Sequence, residues 1–399
     1  MTSMVTIPAV SVGSDGPHSP TQQIIVKEQD NAHDRHREVV QRREGSRGRA
    51  RDQVGPLSNA LPFRAAPAAE PSGGAGWRRA VEPYVGPDAR RATLQLVTTL
   101  VPLALLMWAT ARALAVSPWL ALVFVLPTAG LLVRTFIFMH DCAHGSFFAS
   151  RRVNDTVGFL TGVLTLTPFG QWRRDHALHH ASSGDLERRG HGDITTLTVR
   201  EYLARTPRER RSYRLMRNPV VLLLLGPPYL ALNQRVRARS LATRSPQVAS
   251  VWLTNAAIVV GLTVAFWTVG WKTVLFAYAL PFYLAAMAGV WLFYVQHQFE
   301  GAYWTSHADW DYVDAALQGS THLQLSPLFR WFTGSIGLHH VHHVAPRIPN
   351  YRLQACHDAN AMFQHSPVVT LRSGLAALRL ALWDEDRQRL VGFRDVRDA

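Results

Sequence analysis

The chain has little cysteine. Only Cys142 and Cys356 occur in 399 residues, which excludes a disulfide framework and any four-thiolate zinc or iron–sulfur site. No Gly-x-Gly-x-x-Gly follows a strand-like run, so no Rossmann-type site for a nicotinamide or flavin is expected. Gly73-Gly-Ala-Gly76 sits in a Pro-, Ala- and Ser-rich tract and reads as linker. The opening Met1-Thr-Ser-Met-Val-Thr-Ile-Pro lacks a basic stretch followed by an apolar core, so no secretory leader is expected. Acidic residues are outnumbered, 28 Asp and Glu against 42 Lys and Arg, giving a formal charge of +14.

Apolar sequence is abundant: 47% of residues are hydrophobic, gathered in runs too long for soluble helices. Thr93–Ala111 and Pro118–Val133, the latter continuing past Arg134 to Met139, form one pair. Ala249–Gly270 and Thr273–Gln296 form another. Each approaches the roughly 20 residues that cross about 30 Å of hydrocarbon. The pattern predicts an all-α integral membrane protein with four transmembrane helices and a cytosolic helical cap. Val157–Phe169, with Gly158, Gly162 and Pro168, and Pro219–Leu232, with Gly226-Pro-Pro, are apolar but short, and are expected to be interfacial or re-entrant helices.

Arginines cluster in Arg35–Arg51, Arg173–Arg214 and Arg235–Arg244, flanking the apolar runs rather than entering them. The positive-inside rule makes that face cytoplasmic, together with both termini. Nucleic acid is not an expected partner: Arg35–Arg51 has no interleaved aromatics and carries Glu38 and Glu44. Residues 1–81 read as a disordered tail, 82–353 as the membrane domain, and 354–399 as a cytosolic segment. Within the last, Leu371, Leu375, Leu378 and Leu382 predict an amphipathic helix over Val368–Trp383.

Three histidine clusters lie just beyond apolar runs: His140-Asp-Cys-Ala-His144, His176-Ala-Leu-His179-His180 and His339-His340-Val-His342-His343. Helical neighbours at i, i+3 and i+4 share a face, so each cluster can aim several imidazoles at one point. If neither short apolar stretch crosses the membrane, all three clusters share one side. His297 closes the last span on that same side. The candidate metal ligands are therefore His140, His144, His176, His179, His180, His297, His339, His342 and His343. They suffice for two ions with four or five nitrogens each, leaving positions for dioxygen. Imidazole suits iron, copper or zinc, so ligand type alone does not choose. The Glu-x-x-His pattern of soluble carboxylate-bridged metal bundles is absent. Transporters place ionisable groups near the bilayer midplane, not at span ends, which disfavours a metal-transport role.

Asp141, Asp175 and Glu300 neighbour these ligands and are candidates to accept the second ring N–H, ordinary surface charge being the alternative. His340 falls between ligand positions and is expected to point elsewhere, as a supporting residue. Cys142 reads as a packing residue. His18, His33, His307 and His357 read as ordinary histidines, and His191 and His322 as minor candidates.

The boxes His140-Asp-Cys-Ala-His144-Gly-Ser-Phe-Phe, Trp172-Arg-Arg-Asp-His176-Ala-Leu-His179-His180 and Gly337-Leu-His339-His340-Val-His342-His343 resemble those of the membrane fatty acid desaturases. So do Ser183-Gly-Asp185-Leu-Glu, Tyr294-Val-Gln-His297-Gln-Phe-Glu300 and Pro346-Arg-Ile-Pro349-Asn-Tyr351-Arg-Leu. The likeness runs from about Leu96 to Leu353 and is to the bacterial acyl-lipid, Δ12 (omega-6) type. It implies two iron ions, dioxygen as co-substrate, and removal of two hydrogens from adjacent methylenes of a fatty acyl lipid in a bacterial cytoplasmic membrane. Hydroxylases, ketolases and epoxidising enzymes share this histidine architecture. Unactivated C–H bonds demand a redox-active metal, and the chain carries no electron-transfer module of its own. A separate ferredoxin, flavodoxin or cytochrome-type donor is therefore expected, an acidic one suiting the basic surface. Two departures stand out. Phe293 occupies the position where acyl-CoA desaturases carry an Asn, four residues before the histidine equivalent to His297, and His322 stands where related bacterial proteins carry aromatic residues.

Overall fold

The structure, a computed structural model, describes residues 76–190, 194–239 and 245–396, without the side chains of 236–239. The expectations for most of the N-terminal tail, with His18 and His33, and for His191 lie outside these residues. The tail boundary needs correction at its end. Gly76–Val81 is helical, with Val81 buried and Trp77 packed 6.3 Å from the Tyr312 ring.

Among the described residues three stretches are helical, long and apolar enough to cross a membrane: Ala89–Leu114, Pro118–Ala143 and Pro246–His297. The first, α1 (Ala89–Leu114), starts at Asp88, whose carboxylate accepts the Arg91 N–H at 3.0 Å. Such a cap satisfies one of the amides that a helix start leaves without a partner. A short turn of helix then leads into α2 (Val125–Ala143). The third stretch covers 52 residues, roughly 78 Å of helix and more than twice the ~30 Å of a bilayer's hydrocarbon. It breaks at Gly270, whose φ of 77° and ψ of 160° are not helical. Only 11% of its most apolar window is buried; side chains such as Val259, Phe266 and Trp267 face outward, as lipid-facing residues do.

Between these stretches lie α3 (Arg151–Leu164), α4 (Phe169–Ser182) and α5 (Pro219–Arg239). At 14 residues, α3 is about 21 Å long and too short to cross. It folds back into α4 through a turn in which Leu166 adopts a φ of 51°. Two glycines make room for that turn. A Cβ on Gly162 would lie 2.7 Å from the Thr167 carbonyl oxygen, and one on Gly158 would lie 2.3 Å from the Phe169 ring. The helix before α5, Pro207–Met216, meets it at a 79° bend.

The third stretch comprises α6 (Pro246–Val274), a five-residue π turn, and α7 (Leu280–His297). Beyond it, α8 (Tyr312–Gln318), α9 (Pro327–Phe332), α10 (His339–Val344) and α11 (Asn350–Ala359) build a layer over one end of the bundle. Its core includes Val313, Leu317, Leu338, Val341, Ile348 and Phe363.

The all-α expectation is amended by five short strands among the described residues. β1 (Leu197–Thr198) pairs with β4 (Leu380–Asp384), which pairs with β5 (Arg389–Gly392); β2 (His322–Leu323) pairs with β3 (Val368–Val369). The amphipathic helix expected over Val368–Trp383 is replaced by β3, a seven-residue helix α12 (Leu371–Ala377) capped by Thr370, and β4. The cause is burial. Ala381, Leu382 and Trp383 are all buried between β1 and β5, and a short continuous apolar run serves a buried strand as well as a helix.

Because α3 and α4 approach so closely, Gly162→Val is expected to destabilise the protein by about 1–3 kcal/mol and to lower its melting temperature in detergent. An unchanged melting curve would show that the α3–α4 turn tolerates a side chain.

Candidate metal centre

The bundle geometry gathers both ends of each long apolar pair at one face. The Asp88 N–H, at the start of α1, donates to Tyr351 Oη at 2.7 Å, and Gln95 Nε2 donates to Asn350 Oδ1 at 2.9 Å. α2 ends on its histidine box. Near the start of α6, Ser250 Oγ accepts the Gly170 N–H at 2.8 Å, and α7 ends on His297.

At that face all nine candidate imidazoles converge in two groups. His140, His144, His176, His180 and His342 form one; His179, His297, His339 and His343 form the other. Within each group the available ligand atoms lie within 4.8 Å of one another. Helix geometry explains the division. Residues at i and i+4 differ by about 40° around the axis, whereas i+3 lies about 100° from i+4. Each i, i+4 pair (His140/His144, His176/His180, His339/His343) therefore serves one group. The i+3 residues, His179 and His342, cross to the other. The second and third boxes thus contribute to both groups, and His297 completes the smaller.

The ring nitrogens meet head to head. His297 Nε2 lies 3.1 Å from His179 Nε2 and 2.9 Å from His339 Nε2, which is 3.1 Å from His343 Nε2. In the other group His180 Nε2 lies 3.1 Å from both His176 Nε2 and His342 Nε2. Burial, reinforced by neighbouring imidazoles, holds the pKa of His144, His176, His180, His339, His342 and His343 well below the ordinary value. These rings are neutral at pH 7, and a neutral imidazole has one N–H and one lone pair. Four buried ring nitrogens, His140 Nε2, His144 Nε2, His180 Nδ1 and His339 Nδ1, have no partner. Converging lone pairs in a dry pocket are the donor set of a transition-metal site, and the residues fit such an ion.

Two rings are oriented from behind. His140 Nδ1 lies 3.1 Å from Asp141 Oδ1, while Asp141 Oδ2 accepts both the backbone N–H and the Nδ2 of Asn350 at 2.8 Å. His297 Nδ1 lies 3.1 Å from the Gly319 carbonyl oxygen. Such partners fix the tautomer and turn Nε2 toward the centre. Asp175 accepts from Gln171 Nε2 at 3.0 Å. Glu300 is corrected to surface charge: α7 has ended, and the carboxylate turns to Arg389 at 2.7 Å. His340 points away, its Nε2 3.1 Å from His357 Nδ1, with the half-buried His322 ring beside them. His307 lies 2.7 Å from Asp185. Cys142 packs among Phe138, Met139 and Phe147.

Asn350 and Arg217 were not singled out by spacing or composition. Arg217 is buried and donates to Tyr294 Oη, Gln298 Oε1 and the Thr195 and Leu380 carbonyl oxygens at 2.9–3.1 Å, tying α7 to the peripheral sheet. The only sequence signals were the Tyr-Val-Gln-His-Gln run, which holds two of its partners, and the Pro-Asn-Tyr tail that contains Asn350. Apolar rings line the site. Trp172 stacks on His176 at 4.2 Å, and Phe293 lies 5.2 Å from His179 and 5.7 Å from His297.

Residues 117–371 match the sequence profile of the family described as fatty acid desaturase. The chain is 41% identical over 317 residues to a fatty acid desaturase of Bacillus subtilis (strain 168), covering 79% of this chain and 90% of that protein. It is 27% identical over 264 residues to a chloroplastic omega-6 fatty acid desaturase of Arabidopsis thaliana, covering 62% of this chain and 54% of the plant protein. Over 237 residues it is 26% identical to an sn-2 acyl-lipid omega-3 desaturase (ferredoxin) of Helianthus annuus, covering 55% of this chain and 50% of that protein. The chain therefore spans nearly all of the Bacillus protein and about half of these plant proteins. Two histidine groups built from three boxes and a lone histidine, together with this match, place the chain in the fatty acid desaturase family of enzymes.

Proposed function

We propose that the protein is an oxygen-dependent desaturase that introduces a double bond, in the manner of the Δ12 or omega-6 type, into the acyl chain of a membrane lipid. The observation that carries the proposal is the pair of buried imidazole groups at one end of an apolar bundle. Each group would hold one iron ion through neutral ring nitrogens, with Asp141 and Gly319 orienting two of the rings. Bound iron would supply the oxidising power to take two hydrogens from adjacent methylenes while dioxygen and two further electrons and protons become water.

The protein's own residues position the substrate and exclude water. Trp172 and Phe293 wall the site with apolar surface, so a lipid tail can lie beside the histidines without admitting solvent. The two long apolar pairs read as two out-and-back hairpins, four crossings in all, because each begins and ends at the histidine face. On this reading α3 and α5 stay at the interface, and the flanking arginines make the histidine face and both termini cytoplasmic.

Cys142 and Cys356 are both buried and cannot bind an iron–sulfur cluster between them. Electrons therefore come from a separate protein of ferredoxin, flavodoxin or cytochrome type. The Helianthus relative's name joins an acyl lipid to ferredoxin, and exposed arginines such as Arg208 and Arg211 favour an acidic donor.

Expressed in a host with saturated acyl chains, the protein is expected to yield products two mass units lighter by gas chromatography–mass spectrometry. A product carrying added oxygen would instead make it a hydroxylase or epoxygenase. His144→Ala, His179→Ala and His342→Ala are expected to abolish turnover and reduce iron per chain by elemental analysis, with the protein still inserted in the membrane. Full activity in all three would refute the ligand assignment. Asp141→Ala, which frees the His140 ring, is expected to weaken iron retention or activity roughly 10–100-fold, and no change would remove Asp141 from the site.

A further inference from the structure

A second polar feature lies one wall away from the histidines, outside the machinery described above. A cleft of about 260 Å³ opens between α1, α2, the α9 turn and the start of α11, lined among others by Gln95, Arg134, Arg330, Ser335, Asn350 and Tyr351. Its floor is unusual for an apolar bundle. Arg134 sits within α2, only 4% exposed. Its Nε donates to Thr99 Oγ1 at 3.1 Å, its Nη1 donates to the Trp331 carbonyl oxygen, and the guanidinium lies 4.3 Å from the Trp331 ring. Arg330, at the rim, donates to Gln354 Oε1 at 2.8 Å. Among the described residues neither arginine has a carboxylate within ion-pair distance. Both guanidinium groups line one cleft, and Arg134 is buried with the Asp141 carboxylate acting on it only from beyond ion-pair distance, so an anionic ligand would add a direct counter-charge.

The turn that completes the cleft is held in a demanding conformation. Ser335 has a φ of 58°, rare for a residue with a Cβ. It follows Gly334, where a Cβ would lie 2.7 Å from Ile137 Cγ2. Strain of this kind collects at ligand clamps. Outside the cleft the surface is apolar. Leu328 and Phe329 on α9 are 62% and 51% exposed, and Leu94 on α1 is 59% exposed. The cleft therefore sits where lipid tails meet the histidine-face interface. It also touches the metal centre's support, because Asn350 lines it while donating to Asp141, the partner of His140.

We infer that this cleft anchors the phosphodiester of a membrane glycerophospholipid, the substrate whose acyl chain then passes to the histidines. The inference rests on the desaturase reading and names its substrate class. The volume favours a head-group fragment: it is below the roughly 300–1,000 Å³ of pockets that enclose whole small molecules, and too small for the nucleotide of an acyl-CoA. Anchoring the phosphate at a fixed place beside His140 would set which methylenes reach the histidines.

The test uses the full chain, purified with its iron, and native mass spectrometry with phosphatidylglycerol, with diacylglycerol of the same chains, and with inorganic phosphate as competitor. Wild-type protein is expected to retain phosphatidylglycerol over diacylglycerol, with millimolar phosphate failing to displace it. Arg330→Gln and Arg330→Glu are expected to cut that retention, the first roughly tenfold, as loss of one charge-assisted hydrogen bond does, with iron content unchanged. In turnover they are expected to raise KM for phosphatidylglycerol more than they lower kcat. Arg134→Gln is a third variant, but it also loses bonds to Thr99 and Trp331 and is informative only if it folds. Equal retention of diacylglycerol, or unchanged retention in both Arg330→Gln and Arg330→Glu, overturns the proposal. Displacement by phosphate makes the cleft a free-anion site and overturns it as well. If no lipid gains a double bond while the variants still lose phosphatidylglycerol, the desaturase reading fails and the anchor stands.

Discussion

Everything about the interior follows from nine imidazoles crowded together at one end of the bundle. Buried, crowded rings cannot all be protonated, and neutral rings facing one another at about 3 Å cannot all donate. An unsatisfied buried nitrogen costs on the order of 1–3 kcal/mol, so a pocket of this kind is unfavourable unless a cation collects the lone pairs. The fold is organised to deliver them. The histidine-bearing segments of α2, α4, α7 and α10 meet at one place.

That requirement also accounts for the polar groups around the site. Asp141 and Asn350, separated by 209 residues, meet behind His140, and a carbonyl stands behind His297. Arg217 fastens α7 to the peripheral sheet from the far side of Tyr294 and Gln298. With His297 the last residue of α7, a loose helix end would let its ring drift out of line. The cross-brace therefore acts on the metal centre through the backbone it holds.

The candidate ligands were legible in the sequence because helical spacing is local: three boxes at i, i+3 and i+4 need no knowledge of the rest of the chain. Helical spacing splits the second and third boxes, but which boxes share a group was not legible. It depends on the direction in which each helix approaches, which only tertiary packing sets. Sequence neighbours misled where the helix had stopped. Glu300 follows His297 by three residues, yet it belongs to the turn and pairs with Arg389. The C-terminal leucines were read with a helical period, although Leu378 and Leu382 are buried by a strand and its flanks. Composition alone assigned Gly76–Val81 to the tail, whereas a single buried valine and a tryptophan against Tyr312 dock it.

The two groups are not equivalent, and the difference bears on where chemistry can occur. One offers five nitrogens and the other four. The poorer group is also the one flanked by the Phe293 ring, and a small cavity lined by Ser183, Ile194, Phe293, Gln298 and Trp304 opens beside its His297. A metal ion held there would have one protein nitrogen fewer than in the other group. Phe293 supplies no donor atom and would shield that ion with apolar surface. The same ring in place of a donor sets the chain apart from the acyl-CoA pattern, and its apolar face would favour a carbon chain over water as the neighbour of that group.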